Sequence, residues 1–283
     1  MKNAKWSVTL TFLATVVTFA FPVPTVTRAQ SSSPNSANRL VLTGSSAMAA
    51  PISDIARRFE SINEGVSIEV QSVGSGKGIA SLRAGRTDIA MVARALSDRE
   101  RDLFAFPVCR DGAAIIVHRS NRLKGMSRQE LSRILTGEIT DWKQLGVQPG
   151  AIKLAWRPEG HAIAELLLGH LKITPEQVRS QTVFSKNSDA MKFVANDPAA
   201  IAVAAVALVE RSATSGVAVK LLAYEGVPAS SRTVRNRTYV LSRPLVLATR
   251  SVPTGLQKRF IDYALSSVVA DVYEQHGFVA FRD

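Results

Sequence analysis

Residues 39–92 read RLVLTGSSAMAAPISDIARRFESINEGVSIEVQSVGSGKGIASLRAGRTDIAMV, and the architecture follows from their rhythm. Arg39–Thr43 is a short, largely apolar strand, and Gly44-Ser45-Ser46 a turn. Met48–Ser61 then sets Ile52, Ile55, Ala56 and Phe59 at helical spacing. Val66–Gln71 alternates Val66, Ile68 and Val70 as a strand does. Gly74-Ser75-Gly76 is a second turn, Gly78–Ala84 a short helix and Thr87–Val92 a third strand. Strand, Gly/Ser turn and helix in repetition predict βα units on a parallel sheet. In such sheets ligands sit at the carboxyl ends of the strands, where helices begin.

Downstream the alternation continues. Ser97 with Glu100 forms a capping box that predicts a helix over Asp98–Phe104, and Ser127 with Glu130 does so for Arg128–Leu135. Strands are expected at Ala113–His118, Ile152–Trp156, Ile201–Ala204, Val217–Leu222, Thr238–Val240 and Pro244–Thr249. Helices are expected at Glu159–Leu171, Asn187–Asn196, Val206–Arg211, Thr254–Leu265 and Ser267–His276, with shorter ones starting at Thr140 and Thr174.

Upstream, Lys2 and Lys5 precede an uncharged run from Trp6 to Thr27. Pro22 and Pro24 break it, and Thr27-Arg28-Ala29 offers small residues around a cut after Ala29. That is the layout of a secretory signal peptide over 1–29; the run is short for an uncleaved membrane anchor of about 20 residues. Residues 30–38 (QSSSPNSAN) form a polar linker. The expected product is exported and soluble.

Composition narrows the function. The chain has 283 residues, 46% hydrophobic and 20% charged, which supports a sizeable core and excludes wholesale disorder. A single cysteine, Cys109, excludes an intramolecular disulfide framework and thiolate zinc clusters. The four histidines show no metal-ligand spacing, so no metal or cofactor is expected. No nucleophile–base pair is legible, and no catalytic residue is assigned. The net charge is +12; Lys2, Lys5 and Arg28 fall in the leader, which leaves +9 on the mature chain. That balance favours anionic partners. Arg232, Arg235, Arg237 and Arg243 form the densest basic stretch, without interleaved aromatics, and read as a solvated loop, not a nucleic-acid surface.

Two turns carry the chemistry. Gly44-Ser45-Ser46 and Gly74-Ser75-Gly76 each end a strand and open a helix, where backbone N–H groups lack partners and the dipole favours negative charge. They suit an oxyanion, or serve as ordinary N-caps. Residues 74–78 are not a phosphate-binding P-loop, because Gln71 stands at the first glycine position and Gly78 follows Lys77. Arg94 and Arg157 each follow a strand, where a guanidinium can clamp an oxyanion or pair with Asp88 or Glu159. His161, near a helix start, is a candidate titrating group.

Taken together, these segments resemble the phosphate-binding proteins of ABC importers. The resemblance is carried by Leu42–Met48 (LTGSSAM), Val73–Ile79 (VGSGKGI), Thr87–Leu96 (TDIAMVARAL) and Asp111–Val117, and most specifically by Leu131–Trp142 (LSRILTGEITDW). Tyr239–Leu245 and Pro253–Leu256 extend it. It implies a two-lobed α/β binding-protein fold of mixed and parallel sheets, with helices on both faces and a ligand cleft between the lobes. The lobes are expected at 39–117 with 240–283, and at 118–239. It implies binding, not catalysis: a small inorganic anion, phosphate above all, held by a monomer that serves an ABC permease. Ser45, Ser46, Ser75, Gly76 and Arg94 would contact the anion from the first lobe, and Arg157 and the turn holding His161 from the second. Ala47 and Ala93 stand where the family carries Thr and Ser, and Gly160-His161-Ala162-Ile163 replaces Gly-Ser-Gly-Thr. Either a retuned anion site or a module that senses or binds a protein partner is compatible with those changes. A surface that binds polyanions is a third reading.

Overall fold

The computed structural model describes residues 38–147, 150–158 and 161–281. The expected leader, and the linker up to residue 37, lie outside them. The opening rhythm forms as read: β1 (Arg39–Gly44), α1 (Ser46–Ser61), β2 (Ser67–Ser72), α2 (Ser75–Arg83) and β3 (Ile89–Val92). β1 lies between β2 and β3 and is parallel to both. Bare backbone lets these pieces approach. A Cβ on Gly44 would stand 2.1 Å from the Met91 carbonyl oxygen, and one on Gly78 would stand 2.5 Å from that of Thr43.

The Ser97–Glu100 capping box is present, but it closes only a 3-10 turn, Asp98–Glu100. The helix expected to reach Phe104 gives way to β4 (Phe104–His118), whose residues pair with a distant strand. Then follow β5 (Gly125–Met126), α3 (Arg128–Leu135), β6 (Lys153–Trp156), α4 (Ala162–Leu171), β7 (Thr182–Val183) and α5 (Asn187–Asn196). After them come β8 (Ala200–Ala205), α6 (Val206–Thr214), β9 (Val219–Leu221), β10 (Ala223–Tyr224) and α7 (Ser231–Arg235). The chain closes with β11 (Ser242–Thr249), α8 (Gly255–Ala264), α9 (Ala270–Gln275) and β12 (Val279–Ala280). Thr238–Val240 is not the strand expected. Tyr239 is buried instead, with its hydroxyl donating to the Ala113 carbonyl at 2.9 Å and its N–H to Thr233 of α7.

The main sheet runs β2-β1-β3-β11-β4-β8-β6-β7, mixed in direction, with helices on both faces. Side chains of β3 alternate as a pleat requires: Ile89 and Met91 pack with α1, α8 and α9, while Ala90 and Val92 pack with α2. A separate core gathers Ala113 to Leu241 with Val279. β4 serves both: Val108 and Cys109 belong to the first group of side chains, Ala113–Val117 to the second. On the returning chain, Leu241 belongs to the second and Leu245 to the first.

Gly78→Ala tests the close approach of α2 to β1. Inside a helix, Ala should gain about 1 kcal/mol over Gly. The clash with Thr43 should instead produce a net loss of about 1–3 kcal/mol in urea or thermal unfolding. A variant as stable as the parent would show that the contact is not tight.

Candidate functional site

Register assembles the first half of the site. Gly44 is paired with Ser72 and with Met91, so the carboxyl ends of β1, β2 and β3 form one row. The loops beyond them are tied together. Ser45 N–H donates to the Met91 carbonyl at 2.9 Å, Gly74 N–H to that of Gly44 at 2.7 Å, and Ala93 N–H to Ser75 Oγ at 3.2 Å. Ser45 is buried, Ser75 half-buried, and Ser46 and Gly76 are exposed. Neither α1 nor α2 has a side-chain cap. Ordinary N-capping therefore does not account for these serines, and the first N–H groups of both helices point from the row of strand ends.

Arg94 also follows this row, but it is engaged. Its two terminal nitrogens lie 2.7 and 2.8 Å from the Glu100 carboxylate. The Arg94 hydrogen bonds, aided by those from Ser97, hold Glu100 down to about 2. The structural pair weighed from the sequence exists, with Glu100 in place of Asp88. Asp88 accepts the Val41 N–H at 2.7 Å.

The second half lies after β6. Arg157 is 2% exposed. Its Nε donates to the Val203 carbonyl at 2.9 Å, and its Nη1 to the carbonyls of Phe184 and Ser185 at 3.3 and 3.2 Å. Its Nη2 donates to Asn187 Oδ1. Every one of these acceptors is neutral, and no carboxylate among the described residues pairs with it. Burial pulls Arg157 down to about 10, so it stays charged at neutral pH. Glu159 and Gly160 lie outside the described residues.

His161 is the N-cap of α4: its Nδ1 accepts the Ile163 N–H at 3.2 Å. Burial first, then the charges of Arg157 and Arg243, lower its pKa against the opposing backbone of Ser185. The ring is therefore neutral at pH 7, with its proton on Nε2.

Between the halves stands a residue that sequence reading assigned to a solvated loop. β11 is antiparallel to β3 with Val246 opposite Val92, so Arg243 lies beyond the carboxyl end of β3. In the β4 pairing, Arg243 is opposite Asp111. Only 16% of its side chain is exposed. Its Nη2 lies 3.3 Å from Asp111 Oδ2 and donates to the Ala162 carbonyl, the first residue of α4, at 3.1 Å. Its Nε is buried without a hydrogen-bond partner among the described residues. Burial pushes the Asp111 carboxyl up, against the pull of Arg243. The strand register that brings the two together has no local signature in the sequence.

The candidate site thus comprises a row of strand ends and helix starts rich in N–H donors, and a buried arginine that no carboxylate among the described residues pairs with. No group of His, Cys, Asp and Glu among the described residues could hold a metal ion. Fold and loops define a two-lobed α/β binding protein of the periplasmic type. The family described as PBP superfamily domain matches residues 29–268, and the chain belongs to it. The phosphate-binding protein PstS of Bacillus subtilis is 27% identical over 249 residues, spanning 86% of this chain and 81% of that protein. PstS of Borreliella burgdorferi is 24% identical over 86% of this chain and 91% of its own. The crystal structure of an ABC-type phosphate transport receptor from Vibrio cholerae superposes with a TM-score of 0.73 at 25% identity, covering 85% of this chain and 99% of that one. The resemblance seen in the sequence is borne out.

Glu100 has its pKa lowered on folding, so its contribution to stability is present above about pH 4.5 and is lost as pH falls towards 2. Glu100→Gln should reduce the acid-limb slope of stability against pH by about one proton. An unchanged slope over pH 2–4.5 would mean that the Arg94 pair does not hold in solution.

Proposed function

We propose that the protein is an exported solute-binding protein that captures phosphate or a related small oxyanion for ABC-type import. The observation that carries this reading is Arg157: a buried guanidinium ringed by neutral acceptors, with no counter-charge among the described residues. Leaving such a cation unpaired is costly, and an anion beside it offsets the cost. The phosphate-binding relatives support phosphate as the first ligand to test, and the transport receptor among them supports a permease as partner. In this reading Ser45, Ser46, Ser75 and Gly76 present donors from the lobe at 39–117 with 240–283. Arg157 and His161 act from the lobe at 118–239. The protein works as a monomer whose lobes close on the ligand. No helix among the described residues is long and apolar enough to cross a membrane, in keeping with a soluble exported chain.

His161 is the observation on the other side. Its ring takes the Ile163 N–H that a hydroxyl-lined turn would leave for a ligand. That favours changed selectivity over loss of binding, because no carboxylate among the described residues pairs with Arg157.

Thermal unfolding in millimolar phosphate, sulfate or a dicarboxylate, at constant ionic strength, checks the reading. A ligand at 100 times its Kd adds about 2.7 kcal/mol. Arg157→Met should abolish the shift. A shift that survives this change, or no shift with any anion, would overturn the proposal.

A further inference from the structure

Arg157 is one of two guanidiniums near the start of α4. The other, Arg243, has a geometry that a structural ion pair does not explain. Its separation from Asp111, 3.3 Å, is long for a charge-assisted bond, which is usually about 2.7–2.9 Å. The same nitrogen is shared with the Ala162 carbonyl, and Nε is buried with no partner among the described residues. A guanidinium serving only Asp111 would close on it with two nitrogens, as Arg94 closes on Glu100.

Its position is also that of a ligand residue. Arg243 follows the row formed by Gly44, Ser72 and Met91, one strand over, and reaches the first residue of α4. His161, at the head of that helix, lies in the field of both Arg157 and Arg243. His161 is thus set near two guanidiniums, and Asp111 is the one carboxylate among the described residues that pairs with either of them.

We infer that Arg243 is a second anion-contacting residue of the site, held ready by Asp111, whose carboxylate the bound oxyanion partly replaces. The inference rests on the anion-binding reading above and adds a specific consequence. Asp111 competes with the ligand for Arg243, so Asp111 weakens binding. Arg243 also lies on a strand next to the one shared by both cores, so a ligand that draws on it pulls on the crossing itself.

The test is calorimetric titration of the mature chain with phosphate and with sulfate. The variants are Arg243→Gln, Asp111→Asn, the double variant and Arg157→Met, with circular dichroism to confirm folding. Arg243→Gln alone leaves Asp111 buried and unpaired, so it is not decisive. The double variant removes both charges together. On this inference it binds at least about tenfold more weakly than wild type, the loss expected of one charged hydrogen bond, and Asp111→Asn alone binds several-fold more tightly. If Arg243 merely neutralises Asp111, the double variant binds as wild type does and Asp111→Asn gains nothing. That result overturns the inference, and with Arg157→Met inactive it leaves the anion site standing. A wild-type chain that takes up neither anion overturns both.

Discussion

The structure hangs on one antiparallel ladder. β11 pairs along β4 from Ser242 opposite Gly112 to Thr249 opposite Phe104, with a bulge between Leu245 and Val246. β4 then continues past the end of that ladder, and Ala113–Val117 pair with β8. One strand of fifteen residues therefore contributes to two cores in turn. Neither core can shift without moving β4, and the residues where the partners change are Arg110, Asp111 and Gly112. Gly112 is obligatory there for packing, because a Cβ would stand 2.7 Å from Val234 and 3.2 Å from Val206. The tightest point of the crossing is also where a charged pair is buried, and that pair reaches the head of α4.

Electrostatics explain why this arrangement suits a charged ligand better than a neutral one. The exposed ion pairs, Arg58 with Asp271 and Arg83 with Asp102 among them, are solvated and contribute little. Arg157, 2% exposed, and Arg243, with 16% of its side chain exposed, are different, because water screens them less and carbonyl oxygens only partly replace hydration. Their field is directed at one helix start, and His161 responds by staying neutral. The basic balance of the whole chain gathers anions near the surface.

What the sequence discloses and what it hides divide along locality. The first five elements could be read because each is set by its own period of apolar residues and by the Gly/Ser turns between them. The capping boxes at Ser97 and Ser127 were also legible, yet only the second opens a full helix. After Glu100 the chain is claimed by a partner more than a hundred residues away. Thr238–Val240 shows the converse. A strand was expected there, but the Tyr239 hydroxyl finds the Ala113 carbonyl and the segment stays irregular, with Tyr239 buried and Val240 50% exposed. The short strands β5, β7, β10 and β12 exist only through pairing and left no local trace. Among the candidate residues, Ser45, Ser75 and Arg157 were visible because they stand at strand ends. Arg243 was not, since its proposed role depends on β11 running antiparallel to β3.

His161 poses the remaining physical question of how a helix start serves an anion once a ring has capped it. The imidazole accepts the Ile163 N–H through Nδ1, so this donor is already satisfied within the chain. A bound anion must either displace the ring or leave it in place and act from a distance. Displacement frees one backbone donor but strands a half-buried imidazole, and nearby guanidiniums oppose its protonation. Leaving the ring in place costs nothing locally and keeps the Coulombic attraction of Arg157 and Arg243. Charge attraction is less directional than a set of hydroxyl and backbone donors fitted to four oxygens. On the proposed function, histidine at position 161 therefore trades geometric fit for field strength, while Ser45, Ser75 and the uncapped starts of α1 and α2 supply the directional donors.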